Sequence, residues 1–512
     1  MEDPSASKGF FGHPIGLSTL FFTEMWERFS YYGLRPLLVL YMAAALNDGG
    51  FGWDRSQASA IVGIYAACVY LASLPGGWVA DRLLGLRRAI FIGAVLISFG
   101  HLSIGLSAFA HGKLGFFMGL ILIVLGTGLL KPNISAIVGD LYTEGGARRD
   151  AGFSIYYMGI NIGAFFGQIA TGYLGEKIGW HFGFGAAGAG MLAGLAVFAL
   201  FQRKTLGHLG EHPTRHPDPA VQRKQERTVK MSLLIGLVVL AILIVLTASG
   251  AITIDAQAVG QSMAFVLVGI AVVFFVYLFA FGGLTTDEKK RCAVIFVLFV
   301  FAAAFWAAFE QAPTSLNLFA KDFTNRTFFG FEVPALWFQS INAAFIILLA
   351  PAFAALWVGL AKRGIDPSSP TKFMVGLLLA AIGFLVMIPP ANAIVAAGGA
   401  IKVSAWWLTI SYLFQTFGEL SLSPVGLSSM TKLSPRKYVG QMMGIWFLAA
   451  SVGNLIAGLV GGNVDPEKLD QTPTLFMWTA VALFVSAGIL GLMILPIRRM
   501  IGNIDTSGAH TA

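Results

Sequence analysis

The sequence predicts an all-α polytopic membrane protein with fourteen transmembrane helices grouped six, two, six. Three observations predict it. First, 56% of the 512 residues are hydrophobic and only 12% are charged, against roughly 25% charged in soluble proteins; mean hydropathy is +0.74. Second, the apolar residues form continuous runs near the length of about 20 residues that spans a bilayer as helix, without the alternation of an outer-membrane barrel. Third, the few basic residues cluster between runs with a strong bias to one side. A soluble enzyme, a disordered chain and a nucleic-acid module are excluded, because a soluble fold of this length could not cover so much apolar surface.

The apolar windows fall at 16–45, 57–80, 88–109, 114–139, 152–174, 182–201, 231–249, 263–283, 292–319, 336–360, 373–390, 403–431, 440–461 and 474–497. With the N-terminus inside, 24 of the 34 Lys and Arg lie on the cytoplasmic side, 7 lie outside and 3 (Arg28, Arg35 and Lys131) lie within spans. That bias places both termini in the cytoplasm. The net charge of +8 is then an orientation signal, and no nucleic-acid partner is expected. The first window follows a polar leader and carries Glu24, Glu27 and Arg28, which no cleavable signal peptide would. Cys68 and Cys292 sit in or beside apolar runs and read as small buried residues without a disulfide.

The expected organisation is a leader (1–14), a six-helix bundle (15–201), a cytoplasmic linker (202–230), a two-helix hairpin (231–283), a second six-helix bundle (284–499) and a tail (500–512). The linker's histidines 208, 212 and 216 lack a metal-ligand pattern, and neither a metal nor a cofactor is expected. The hairpin windows carry no charge and read as a peripheral, lipid-facing pair; the two sixes suggest a transporter built from parallel halves. Gly159, Gly163 and Gly167 recur every four residues and predict a close helix-packing face, as do Gly453 and Gly458 with less force. The short segment from Gly77 to Arg88 joins spans two and three, and its Asp81, Arg82, Arg87 and Arg88 either mark a plain positive-inside turn or latch onto helix ends.

The charges inside the spans carry the functional reading. A charged residue there costs roughly 2.5–3.5 kcal/mol on insertion scales. In span one, Glu24, Glu27, Arg28, Tyr31, Tyr32 and Arg35 fall within about 140° of one helix face at about 100° per residue. That face suits a hydrated cavity, and its carboxylates, guanidiniums and phenols suit a zwitterion or protons. Span four adds Lys131, followed by Pro132 and Asn133; span nine adds Trp306 and Glu310; span twelve adds Glu419, Ser421 and Ser423. Four acids thus face three bases, so one acid is free to carry a proton. Such charges could instead only staple helices together, but apolar residues would often serve stability as well. Tyr70, Asn161, Gln168, Asn342, Trp446 and Asn454 are further polar candidates, each equally suited to a helix-packing hydrogen bond.

The Gly77–Arg88 segment resembles the signature loop of the major facilitator superfamily. The string from Glu24 to Gly33 resembles the ExxERFxYYG motif of the proton-dependent oligopeptide transporters, and Tyr156-Tyr157-Met158-Gly159-Ile160-Asn161-Ile162-Gly163 resembles their FYxxINxG motif, with Tyr156 in place of Phe. Gly126 to Asn133 and Phe305 to Gln311 are similar to the same family, and the likeness runs from about Phe11 to Arg499. The resemblance implies a bacterial inner-membrane symporter of di- and tripeptides and protons, working by alternating access on the major facilitator fold, here expected as a monomer in the lipid bilayer. It implies that Arg35 and Glu310 form a proton-sensitive pair that also approaches the peptide carboxylate. Glu24, Glu27, Arg28 and Lys131 would join them in proton coupling. Asn161, Asn342 and Glu419 would hold the amino end and backbone of the peptide, with Ser423 beside them, and Tyr31, Tyr32, Tyr70, Trp306 and Trp446 would form side-chain pockets. Arg55 and Asp322 would close an outer gate. Span two holds no histidine, unlike the animal members, so proton coupling would rest on carboxylates.

Other readings fit less well. A relative carrying nitrate or another small anion would have no amino group for Glu419 to hold. A drug antiporter would want a more apolar cavity. An intramembrane enzyme lacks any metal motif, nucleophile elbow or phosphate loop, and a receptor or scaffold leaves seven buried charges unexplained.

Overall fold

A computed structural model describes residues 9–110, 112–142, 146–214, 217–365 and 367–501. The first eight leader residues, Arg215 and His216 of the expected linker, and the tail from 502 lie outside the described residues. The chain is almost wholly helical: α1 (Gly16–Ala43), α2 (Arg55–Val79), α3 (Leu86–Ala110), α4 (Lys113–Asp140), α5 (Gly146–Tyr173), α6 (Trp180–Thr205), α7 (Pro219–Ala248), α8 (Ala256–Phe281), α9 (Thr286–Phe309), α10 (Asn317–Phe323), α11 (Trp337–Lys362), α12 (Ser369–Leu385), α13 (Ile388–Ala396), α14 (Trp406–Leu433), α15 (Val439–Gly461) and α16 (Gln471–Ile501). Apart from the short α10 and α13, these are the fourteen expected spans. Eleven spans are long and apolar enough to cross a membrane by length and composition among the described residues. Those outside that set, α1, α5 and α14, are the helices into which the sequence places Glu24, Glu27, Arg28 and Arg35, then Asn161 and Gln168, then Glu419.

Three elements differ from expectation, each for a local reason. The ninth span breaks after Phe309: Ala312–Leu316 is a wide turn in which Leu316 N–H donates to the Gln311 carbonyl at 3.1 Å, and α10 follows. Pro313 supplies no N–H to continue the ladder. The eleventh span divides into α12 and α13, the second opening on Pro389 and Pro390. The expected linker is largely helical. α6 continues to Thr205, and α7 begins at Pro219, with Asp218 as its N-cap accepting from the Ala220 N–H at 2.8 Å. Asp followed by Pro is a strong helix start, and the Ala, Val, Gln, Arg and Lys residues behind it are adequate helix formers.

The chain forms two compact units, Met1–Leu37 with Cys68–Ala256, and Leu38–Ala67 with Gln257–Ala512. In the first unit, α5 lies against α1 through its glycines. A Cβ at Gly163 would collide with the Met25 carbonyl, and one at Gly167 would collide with the Phe29 backbone. Thr171 Oγ1 completes this contact by donating to the Gly33 carbonyl at 3.0 Å. In the second unit, Gly63 and Gly458 bring α2 and α15 equally close, and Ser451 Oγ donates to the Ala67 carbonyl at 2.9 Å. The expected hairpin helices behave differently from each other. Along α7 the residues from Met231 onward are almost all exposed, whereas α8 buries a stripe of Leu267, Ala271, Phe275 and Leu278 in the second unit. Phe275 meets Phe296 of α9 at 5.0 Å between ring centroids.

The turn between α2 and α3 is held by the segment that follows α6. Arg87 Nη1 donates to the Gly207 carbonyl at 2.7 Å, and its Nε donates to Gln202 Oε1 at 3.1 Å. The Arg87 N–H reaches the Gly210 carbonyl, and the Thr214 N–H reaches the Asp81 carbonyl, both at 2.9 Å. The arginine thus latches onto the end of a helix, and the aspartate takes part through its backbone. Gly85 sits at φ +79°, and a Cβ there would also stand 2.8 Å from the Glu211 carbonyl oxygen. His208 Nδ1 lies 3.1 Å from Glu211 Oε2, and this hydrogen bond is the chief reason the Glu211 carboxyl is held below the usual carboxylate range.

Candidate substrate and proton site

The first unit gathers the charge within its spans around α1. Arg28 Nε lies 3.0 Å from Glu24 Oε1, a one-turn spacing that the helix itself imposes, and the guanidinium also pairs with Glu27. All three side chains are 2% exposed or less. The Arg28 guanidinium carbon stands 5.1 Å from the Tyr31 ring centroid and 6.0 Å from that of Tyr32. Arg35 is buried on the same helix face, immediately before Pro36. Lys131, from α4, places its Nζ 3.9 Å from the centre of the Tyr70 ring and acts electrostatically on Glu27. Both contacts are cation–π or charge contacts that strengthen out of water. Pro132 interrupts the α4 ladder beside Lys131, and Asn133 Nδ2 donates to the Leu129 carbonyl at 2.6 Å.

Tyr156, which sequence reasoning treated only as a motif position, belongs to this cluster. Its hydroxyl lies 3.4 Å from Ser135 Oγ, and the Glu24 carboxylate acts on it electrostatically. The signal was its place at the head of the second family-like motif. Asn161, one turn beyond, is buried and donates to its own helix, Nδ2 to the Tyr157 carbonyl at 3.0 Å.

The second unit holds a smaller cluster. Glu310 is buried at the C-terminal end of α9, where the helix breaks. Asn342 of α11 donates to Thr416 Oγ1 at 3.0 Å and to Glu419 Oε2 at 3.2 Å, both on α14. Glu310 acts electrostatically on Glu419, so the two acids share one neighbourhood. Trp306 lies between Phe305 and Phe309 at 5.4 and 5.5 Å, with its indole N–H buried and without an acceptor among the described residues. Gly453 makes room for it: a Cβ there would overlap the tryptophan side chain. Trp446 is buried edge-on to Phe373, and Ser423 is half-buried one turn past Glu419. Arg55 pairs with Asp322, donates to the Val464 carbonyl at 3.1 Å, and lies 4.0 Å from Asp465.

The charge within the spans is therefore divided by unit. The first holds three bases, Arg28, Arg35 and Lys131, with two acids, Glu24 and Glu27; the second holds the acids Glu310 and Glu419. Among the described residues no cluster of His, Cys, Asp and Glu could hold a metal ion.

A polytopic helical protein with ionisable groups buried in several spans is built as a membrane transporter. The comparisons narrow this. Residues 87–474 match the POT family (PTR2), and the chain belongs to that family. It is 50% identical over 503 residues to the peptide transporter YePEPT of Yersinia enterocolitica, covering 98% of each chain. It is 36% identical over 511 residues to a di-/tripeptide transporter of Lactococcus lactis, covering 97% of this chain and 98% of that one. A crystal structure of a peptide transporter POT in complex with sulfate superposes with a TM-score of 0.87 at 41% identity, covering 96% of both chains. The fold is accordingly the major facilitator fold the motifs implied, and the chain is a transporter rather than an enzyme.

Proposed function

We propose that the protein imports di- and tripeptides into the bacterial cell across the cytoplasmic membrane, coupled to protons and by alternating access. It would act as a monomer with both termini in the cytoplasm. The observation that carries this reading is the division of the charge within the spans: an excess of bases in one unit and a pair of acids in the other. A short peptide is a zwitterion whose ends are several Å apart. The bases Arg28, Arg35 and Lys131 suit its carboxylate, and Glu419 and Asn342 suit its amino group, with Glu310 left to carry the proton. The aromatic residues Tyr31, Tyr32, Tyr70, Trp306 and Trp446, with Asn161 and Ser423, suit varied side chains and backbone better than one tight slot would. The names of the relatives support the substrate class. Protonation of Glu310 would carry the coupling, and the Arg55–Asp322 pair would act as a gate.

The test is exchange of labelled dialanine by the reconstituted protein. Unlabelled dialanine competes, whereas dialanine with an acetylated amino end or an amidated carboxyl end competes at least tenfold less well. Equal competition by the doubly blocked peptide would remove the charge-pairing reading. Lys131→Ala is expected to abolish pH-driven uptake, since the cation beside Tyr70 and Glu27 is lost. Full activity in that variant would take Lys131 out of the proton path.

A further inference from the structure

We propose that the first turns of α7 form a binding surface for anionic phospholipid headgroups, in the leaflet on the side where α6 and α7 are joined. α7 runs unbroken from Pro219 to Ala248. Its later part is apolar and exposed: Leu234 is 55% exposed, Leu237 55% and Val245 63%. Such a surface in a membrane protein meets acyl chains, which fixes the depth of the residues before it. Those residues are Arg223, Lys224, Arg227 and Lys230, all exposed. At about 100° per residue they fall within about 120° of one face. Val229, the buried residue of α7, lies on the opposite side.

Between 219 and 230 the acid present is Glu226, which accepts from Gln222 Nε2 at 2.9 Å. Arg223 Nε donates to the Pro219 carbonyl at 3.4 Å. Among the described residues no carboxylate pairs with any of the four bases. Arg203 and Lys204, at the end of α6, are also exposed and add to the same sign. A continuous helix that leaves the acyl region and at once presents four cations without counter-ions fits phosphodiester headgroups bearing net negative charge. Because α7 packs against the Ala80–Leu84 turn, this contact reaches the segment that the stretch after α6 clasps.

The experiment places a fluorophore on Thr228→Cys, an exposed position, in a full chain with Cys68→Ala and Cys292→Ala. The protein is reconstituted in neutral liposomes carrying trace nitroxide-labelled phosphatidylglycerol or phosphatidylcholine. The phosphatidylglycerol quenches more strongly than the phosphatidylcholine, and Arg227→Gln lowers that preference about fivefold. Arg227→Lys keeps it, and neutralising all four bases removes it. If the neutralised chain does not fold, the salt dependence decides: the preference of the parent must collapse as salt approaches roughly 1 M, where the Debye length is about 3 Å. Equal quenching by the two lipids, a preference unchanged by neutralisation, or one insensitive to salt would each overturn the proposal.

Discussion

Glu310→Gln leaves dialanine exchange intact and abolishes its accumulation against a gradient. The amide fills the same space at the broken end of α9 but can neither take up nor release a proton. It therefore resembles the protonated acid permanently. Peptide still binds and crosses, so counterflow between preloaded and external label persists. An imposed pH difference no longer adds to it, and uptake under a gradient falls to the rate without one. The effect is large because coupling is lost rather than weakened. Glu419 shares the neighbourhood of Glu310 and is held by Asn342, so Glu419→Gln is the informative contrast. On this account it impairs binding of the amino end more than it impairs coupling. Uphill accumulation by Glu310→Gln would transfer the coupling role to another acid.

Arg28→Met removes the guanidinium that neutralises Glu24 and Glu27. Both carboxylates stay buried, at 2% and 1% exposure. Breaking a buried ion pair by removing one partner costs about 3–5 kcal/mol, because the other charge is left uncompensated. The single variant is expected to unfold at a clearly lower temperature in detergent and to be inactive in transport. Adding Glu24→Gln and Glu27→Gln removes the stranded charges, so the triple variant recovers most of the lost stability while remaining inactive. Thermal unfolding of the three chains, with uptake measured on each, separates the two roles. A single variant as stable as the parent would mean that the carboxylates rely on another cation, Lys131 being the nearest candidate.

Most of the fold was legible because a bilayer demands long apolar helices, and each expected window lies on a helix. The α1 cluster was legible for a related reason. Its six residues come from one helix, and helical geometry alone puts them on one face. Gly163 and Gly167 were readable as packing positions because a four-residue repeat of glycine has few other uses in a span. What stayed hidden depends on partners distant in sequence or on local breaks. The pairing of Asn342 with Glu419 needs α11 beside α14. The place of Tyr156 beside Glu24 needs α5 against α1. The clasp of Arg87 on Gly207 uses a backbone carbonyl, which no side-chain pattern announces. The helical start of α7 has a local signal within the expected linker: Asp218-Pro219 is a helix cap.

The central claim is that the sparse charge buried in the spans couples peptide movement to protons. It is tested most directly by labelled dialanine uptake into liposomes containing the purified protein, with an inward proton gradient imposed and no other driving force. The account predicts that internal label rises above the external concentration and returns to it when a protonophore collapses the gradient. Equilibration that never exceeds the external level, in a preparation that exchanges peptide normally, would contradict it.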